Sequence, residues 1–359
     1  MVSRVPSSHA RLVLLVLVLV LPTAHSPAPA AGRPTPGNRA AVVTGPRVRR
    51  SMPVMDDLLS IVAASRGSVM DTVRASAALD LAFEEAERLA GVFARGEGTS
   101  ELGRLNRTAA GQRFSCSADL YAALEVAAAL ADETDGSYDP TSGPLLRAWD
   151  RPGGARGPDA GDLAAARRLT GWRMLALDPG NRTARFARPD MEVALGAIAR
   201  GVVLERAAGR LRERGIARAR LEFGGDVLAF TTHDAWSAAI PGPAGDGATV
   251  MTLMVSNGAV ATARSGRDGT ARVLDPRTGQ RPLGQVSVTV VARSALRVRA
   301  LAEALLVQGR DGARAYAGAH PEAGVLWLEP LGGDVQAWAW NLGRIAPEPG
   351  VRVEWMTEP

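Results

Sequence analysis

The sequence of 359 residues contains no lysine, so arginine supplies all 42 of its basic side chains. No lysine side chain can therefore act as a nucleophile or bind a phosphate through its ammonium group. Cys116 is the only cysteine, which rules out an intramolecular disulfide. His233 and His320 are the only histidines beyond the N-terminal segment, and neither has a second histidine or cysteine at metal-ligand spacing. This scarcity argues against a zinc site and against a Ser-His-Asp triad.

Aromatic residues are also scarce, at 4% of the chain, although the net charge is +5 and the isoelectric point is near 10.4. Binding of single-stranded nucleic acid relies on aromatic stacking, and a general nucleic-acid site shows a dense basic stripe. The arginines instead lie among acidic residues, as in Glu205–Arg214. The composition therefore predicts no nucleic-acid partner.

One long hydrophobic run, Leu12–Leu21, lies near the N-terminus. Arg4 and Arg11 precede it, and the small residues Ala28-Pro29-Ala30 follow it, as at a signal-peptide cleavage site. The run is short for a membrane span. We therefore interpret residues 1–31 as a signal peptide and predict an exported protein, periplasmic or otherwise extracytoplasmic, whose membrane contact is confined to this segment.

Residues 32–50 are rich in proline, glycine and arginine and are interpreted as a linker. A single folded domain is predicted for 51–345, followed by a C-terminal tail at 346–359. Long amphipathic patterns mixed with runs of short strands favour an α+β layered fold. Helices are predicted at Ser68–Ala94, Ser117–Thr134, Asp159–Leu169, Ile198–Arg214 and Ala295–Val307, with strands that include Met55–Ala63, Arg173–Leu177, Met191–Leu195 and Val286–Val291.

Short glycine-marked segments recur along the chain in a definite order. Each alone is ordinary turn chemistry, but loops of this kind also carry binding groups. Gly196-Ala197 opens a predicted helix, where free backbone N–H groups face an anion, and Gly224-Gly225 permits close approach to a ligand. The segments are Ser100–Asn106, Gly136–Leu145, Leu195–Gly201, Phe223–Val227, Gly258–Thr262 and Leu274–Gly279.

In this order the segments resemble the FAD:protein FMN transferases, also called ApbE-like proteins, from about Met52 to Leu328. The resemblance implies a T-fold-like α+β domain with mixed sheets and long helices. It also implies a reaction in which FAD is cleaved at its diphosphate, FMN is attached to a threonine of an exported target protein, and AMP is released. Mg²⁺ is the expected metal. The flavin-binding positions implied by the resemblance are Met55, Tyr138, Asp139, Thr141, Arg200, Asp226, Arg272 and Asp275, while no catalytic residue is assigned.

The chain departs from the family pattern where the metal is expected. The resemblance implies Ala197 and the helix positions 299 and 303 as metal-binding positions, and the family has aspartate and threonine at the latter two. Here they are Arg299 and Glu303. Arginine has no lone pair to give a metal. We expect an i,i+4 ion pair between Arg299 and Glu303, with a single metal oxygen from Glu303 as the alternative.

Further departures are Ala194 for an aspartate, Arg200 for a lysine and Arg272 for a histidine. Met55-Asp56-Asp57 replaces Met-Gly-Thr, and Glu222 replaces an asparagine. Two hypotheses follow. The chain is an FMN transferase, or it is a catalytically impaired relative that binds FAD, another dinucleotide or a protein partner without transfer. Self-flavinylation at Asp246–Thr249 is a lesser alternative, because the wider target pattern is absent.

Overall fold

The computed structural model describes residues 47–64, 68–94, 99–150, 157–232, 234–244, 247–266, 273–343 and 345–355. Fifteen strands lie within these ranges. They are β1 (Arg47–Val54), β2 (Asp57–Ala64), β3 (Phe114–Ser115), β4 (Leu175–Asp178), β5 (Thr183–Phe186), β6 (Ala219–Phe223), β7 (Asp226–Phe230), β8 (Trp236–Pro241), β9 (Thr249–Val255), β10 (Gly258–Arg264), β11 (Ser287–Ala292), β12 (Gly324–Leu331), β13 (Asp334–Trp340), β14 (Ile345–Pro347) and β15 (Val353–Trp355).

The main sheet has nine strands in the order β1-β2-β6-β7-β10-β11-β12-β13-β15, and only the β13–β15 pairing is parallel. Its central strands are apolar on both faces, because both faces are covered. In β12, Val325 and Trp327 face one apolar cluster while Leu326 and Leu328 face another. This period-2 alternation explains why the strand is a continuous hydrophobic run in the sequence.

Long helices cover one face of the main sheet, where the larger core lies. Serine N-caps begin three of them. Ser68, Ser100 and Ser117 each accept a hydrogen bond from the backbone N–H three residues later. The helices are α1 (Val69–Phe93), α2 (Glu101–Thr108), α3 (Ala118–Glu133), α4 (Gly143–Trp149), α5 (Ala160–Arg168), α6 (Gly196–Glu213) and α7 (Ala295–Ala319).

The opposite face packs against a small sheet, β14-β9-β8, through a second apolar cluster. A third sheet, β3-β5-β4, lies beside the helical layer. The structure therefore confirms the α+β class with mixed sheets and long helices. The helices predicted at 68–94, 117–134, 159–169 and 198–214 are present within two residues of those bounds.

Four expectations differ from the structure. Strand β1 begins at Arg47, so residues 47–50, assigned to the linker, belong to the main sheet. Residues 346–347 and 353–355 of the predicted tail pair in β14 and β15. Residues 191–195 form only one isolated bridge, from Glu192 to Ser142. Helix α7 continues past 307 to Ala319, with Gly309 in a non-helical conformation.

The predicted signal peptide, residues 1–31, lies outside the described residues and stays a prediction. Within the described ranges, no helix has the length and apolarity required to cross a bilayer. Cys116 is buried, and burial raises the pKa of its thiol to about 11, as expected for a side chain that fills the core.

Candidate functional site

An ion pair between α7 and the start of β7 lies at the centre of the candidate site. The Arg299 guanidinium donates from Nε to Asp226 Oδ2 at 3.2 Å and from Nη2 to Asp226 Oδ1. Its Nη1 donates to the Thr262 carbonyl of β10 at 2.5 Å. The Arg299 side chain is 12% exposed and that of Asp226 is 2% exposed. Burial opposes the charge of Arg299, but the Asp226 carboxylate, with smaller contributions from Glu303 and Asp57, outweighs it, so the pKa of Arg299 is raised.

A second ion pair lies beside the first. Arg200, one turn into α6, donates to Asp57 Oδ2 at 2.7 Å. Gly224, in the β6–β7 turn, lies against this pair, because a Cβ there would be 2.5 Å from Asp57 Oδ2 and 2.9 Å from Arg200 Cζ. Gly224 and Gly225 have φ of 57° and 83°. The turn therefore requires glycine for its backbone conformation and, at Gly224, also for the space.

Glu303 is partly buried one turn after Arg299 on α7. In the described part of the chain it forms no hydrogen bond or ion pair. The prediction of an ion pair with Arg299 is therefore wrong: the guanidinium contacts Asp226 instead. Burial raises the pKa of Glu303 to about 7, and Asp226 adds to this effect, while Arg299 and Arg200 oppose it.

The burial of Glu303 predicts that its contribution to the free energy of unfolding depends on pH. Glu303→Gln is expected to stabilise the protein at pH 8 by on the order of 2 kcal/mol, since burial penalises only the charged carboxylate. Between pH 4.5, the ordinary pKa of a glutamate, and about pH 7, the Glu303 carboxyl is protonated in the folded protein but ionised in the unfolded chain. Stability from the carboxyl therefore falls as pH rises through that window, and the gain from glutamine disappears below pH 4.5.

Urea unfolding of both proteins at pH 4.5 and pH 8 measures this difference. Glu84→Gln, at an exposed position of α1, is the control for the loss of a surface carboxylate. A stability difference for Glu303→Gln that is the same at both pH values would contradict the expectation.

Tyr138, Asp139 and Thr141 form a buried turn between α3 and α4. Asp139 accepts from the Thr141 backbone N–H at 2.7 Å, from the Thr141 hydroxyl at 2.6 Å and from Trp172 N–H at 2.9 Å. Thr141 Oγ1 accepts from Gly171 N–H at 2.7 Å. These contacts hold the turn against residues 171–172, so both polar side chains have structural partners.

Unlike the side chains of Asp139 and Thr141, the buried Tyr138 hydroxyl has no hydrogen-bond partner among the described residues. Burial raises the pKa of this hydroxyl well above its ordinary value, and the Glu303 carboxylate acts in the same direction. Tyr138 and Glu303 therefore lie close enough to interact across the α3–α4 loop and α7. A buried donor without a partner is a group available to a ligand.

The remaining predicted positions are more scattered. Met55 lies in the β1–β2 turn with a positive φ of 50°, two residues from Asp57. Ala197 is in the first turn of α6, where backbone N–H groups have no intrahelical acceptor. Asp275 accepts from the Arg277 backbone and side chain in a turn whose neighbour Leu274 packs on α4. Arg272 lies outside the described residues.

The residues present do not fit a Mg²⁺ site. Magnesium requires near-octahedral oxygen ligands. Both oxygens of Asp226 accept from Arg299, and Arg299 itself has no lone pair. With Asp226 and Arg299 excluded, Glu303 is left to supply an oxygen ligand from this cluster. Within the described ranges, no group of three or more His, Cys, Asp or Glu side chains could hold a metal ion.

Asp57 is a site residue that the sequence reasoning did not include among the binding positions. The sequence did hold a feature that could have indicated the pair, because Asp57 and Arg200 both depart from the family pattern and carry opposite charges. The two lie 143 residues apart in sequence, and the antiparallel pairing of β2 with β6 places the β1–β2 turn beside the β6–β7 turn. Opposite-charge departures of this kind are candidates for a compensating pair.

The layered fold and the charged cluster between α6, α7 and the β6–β7 turn define an α+β protein with a candidate anion-binding site. The sequence model of the ApbE family matches residues 55–327, and the chain belongs to this family. The FAD:protein FMN transferase of Vibrio cholerae serotype O1 is 29% identical over 291 residues, which cover 76% of this chain and 85% of that protein. A second FAD:protein FMN transferase, from Rhodobacter capsulatus, is 32% identical over 228 residues, covering 59% of this chain and 43% of that protein.

A solved structure supports the same kinship. The flavin transferase ApbE from Vibrio cholerae superimposes with a TM-score of 0.71 at 26% sequence identity, covering 83% of this chain and 98% of that chain. The apo flavinyl transferase ApbE of Pseudomonas stutzeri shares the fold, with a TM-score of 0.70 at 22% identity. The predicted family and fold are confirmed.

Proposed function

We propose that this chain is an FAD:protein FMN transferase. The observation that carries the proposal is the match to the ApbE family across residues 55–327, on the fold of a solved flavin transferase. In the reaction, the diphosphate P–O bond of FAD breaks and AMP leaves. A P–O bond forms between FMN and a threonine hydroxyl of the target, whose proton is released.

The charged cluster is suited to the diphosphate part of this substrate. Such a reaction depends on neutralising phosphate charge and on orienting the acceptor hydroxyl. Arg200 and Arg299 lie beside the β6–β7 turn, where Gly224 packs against the Arg200–Asp57 pair and Gly225 has open space around its Cα. The Tyr138 hydroxyl, buried without a hydrogen-bond partner in the described part of the chain, is a further donor for a bound substrate.

A second candidate function is binding of FAD or another dinucleotide without transfer. The observation that favours it is the Arg299–Asp226 pair, which occupies the place expected for the metal. An impaired enzyme retains the fold and the arginines but lacks the Lewis acid. A protein partner without any flavin is the remaining version of this alternative.

The cellular context forms part of the proposal. The signal-peptide pattern at residues 1–31 supports export to the periplasm or another extracytoplasmic compartment. The target would then be an exported protein with an acceptor threonine, and contact with the membrane would occur through the N-terminal segment alone.

The test uses the full chain, FAD and an exported target domain that contains the acceptor threonine, with the threonine-to-alanine target as a control. After incubation, the target is run on a denaturing gel and scanned for flavin fluorescence. The proposed transferase activity requires a fluorescent band that appears with the threonine target and not with the alanine target. If FAD binds but the target stays dark, with and without added Mg²⁺, the non-transferring alternative replaces the proposal.

A further inference from the structure

We propose that Arg299 serves as a built-in cation, so that this chain binds the diphosphate of its dinucleotide without a metal ion. The inference rests on the proposed function for the identity of the ligand. It goes beyond that function in naming what neutralises the diphosphate, and it follows from the disagreement between the metal expected for the family and the residues present here.

Asp226 holds Arg299 in place without using all of its hydrogen-bond donors. A guanidinium has five N–H donors. Three of them are used, at Nε and Nη2 toward Asp226 and at Nη1 toward Thr262. The two that remain lie one on each terminal nitrogen. The Arg299 side chain is 12% exposed and that of Asp226 only 2%, so Arg299 is the more accessible side chain of the pair.

The charge of Arg299 matches that of the carboxylate and metal ion that it replaces. In the family pattern a carboxylate at position 299 holds Mg²⁺, and the two together carry a net charge of +1. A guanidinium carries the same +1 without a bound ion. Its planar donors also bind phosphate oxygens well, in charge-assisted hydrogen bonds. The substitution at position 299 therefore keeps the charge at that position, with the guanidinium in place of the metal ion.

The neighbouring residues fit the same arrangement. Arg200 adds a second guanidinium beside Gly224, with only one of its nitrogens directed at Asp57. A ligand placed over the β6–β7 turn would therefore meet two arginines, each held in place by one carboxylate partner.

The experiment measures binding of FAD and of ADP to the full chain by titration calorimetry, once in EDTA and once in millimolar MgCl₂. The dissociation constants are expected to agree within about threefold. Arg299→Lys keeps the charge but loses the planar fork, and should weaken binding by about tenfold in both buffers. Arg297→Lys, on the same helix and paired at the surface with Glu133, is the matched control and should bind like the parent.

A second variant tests the inference even if Arg299→Lys folds poorly. Arg299→Asp combined with Glu303→Thr restores the family residues. It should bind ADP at least tenfold more tightly in MgCl₂ than in EDTA, and its melting temperature should rise on adding Mg²⁺ alone. The parent chain should show no such rise.

The outcomes separate the inference from the proposed function. Binding by the parent chain that EDTA weakens tenfold or more, and Mg²⁺ restores, would overturn the built-in cation while leaving the transferase intact. Metal-independent binding with no transfer to any threonine would retain Arg299 in its assigned role and remove the transferase activity. Absence of FAD and ADP binding in both buffers would overturn the inference outright.

Discussion

Gly201→Ala is expected to lower the free energy of unfolding by about 3 kcal/mol, because α6 and α7 touch at this glycine. A Cβ at position 201 would lie 2.1 Å from the Ala295 carbonyl oxygen and 2.5 Å from Leu296 Cα. Both atoms belong to the backbone, so no side-chain rotation relieves the clash. Helix α7 would have to move away from α6 and would displace Arg299 from Asp226.

Gly209→Ala is a matched control on the same helix, since a Cβ there meets nothing within 4 Å. Alanine is the better helix former, so this variant should gain up to about 1 kcal/mol. Urea unfolding of the two variants and the parent measures the contrast. Equal stability of the two alanine variants would contradict the close approach of α6 and α7 at Gly201.

Arg299→Met is expected to destabilise the protein by about 3–5 kcal/mol, the cost of leaving a buried charge without its partner. The carboxylate left behind, Asp226, is 2% exposed and has no other side-chain donor in the described part of the chain. Adding Asp226→Asn to the methionine variant removes that charge. Most of the lost stability should then return, because a neutral amide beside methionine has a much smaller desolvation cost.

Arg297→Met removes an arginine two residues away whose side chain is 41% exposed and pairs with Glu133. A surface pair of this kind contributes at most about 1 kcal/mol. Thermal or urea unfolding distinguishes the two positions. If Arg297→Met and Arg299→Met cost the same, or if Asp226→Asn fails to restore stability, then the pair is not the buried contact described above.

Local signals determined most of the helices correctly. The spans of α1, α3 and α6 follow from apolar residues at helical spacing, and Ser117 at the start of α3 caps that helix as its residue type favours. Residues 191–195 were misassigned because an apolar run of that length has no decisive period. There the chain forms backbone contacts with Pro140 and Ser142 instead of entering a sheet.

The candidate site was predicted only in part. The ordered glycine segments located the β6–β7 turn, the start of α6 and the α3–α4 loop. They did not reveal that Asp139 and Thr141 use their polar atoms to hold Gly171 and Trp172. Such side-chain to backbone contacts between distant segments have no periodic signature in the sequence, so only the folded chain distinguishes a structural aspartate from a binding one.

The sequence by itself determined the family, the α+β class and the positions at which the expected metal ligands are replaced, because these depend on the order and local pattern of residues. The tertiary structure decided which partner Arg299 takes. Helical spacing favoured Glu303, four residues away, whereas the structure pairs Arg299 with Asp226, 73 residues distant. The physical reason is geometric: α7 packs across the start of β7, where a buried carboxylate accepts two N–H groups of the guanidinium.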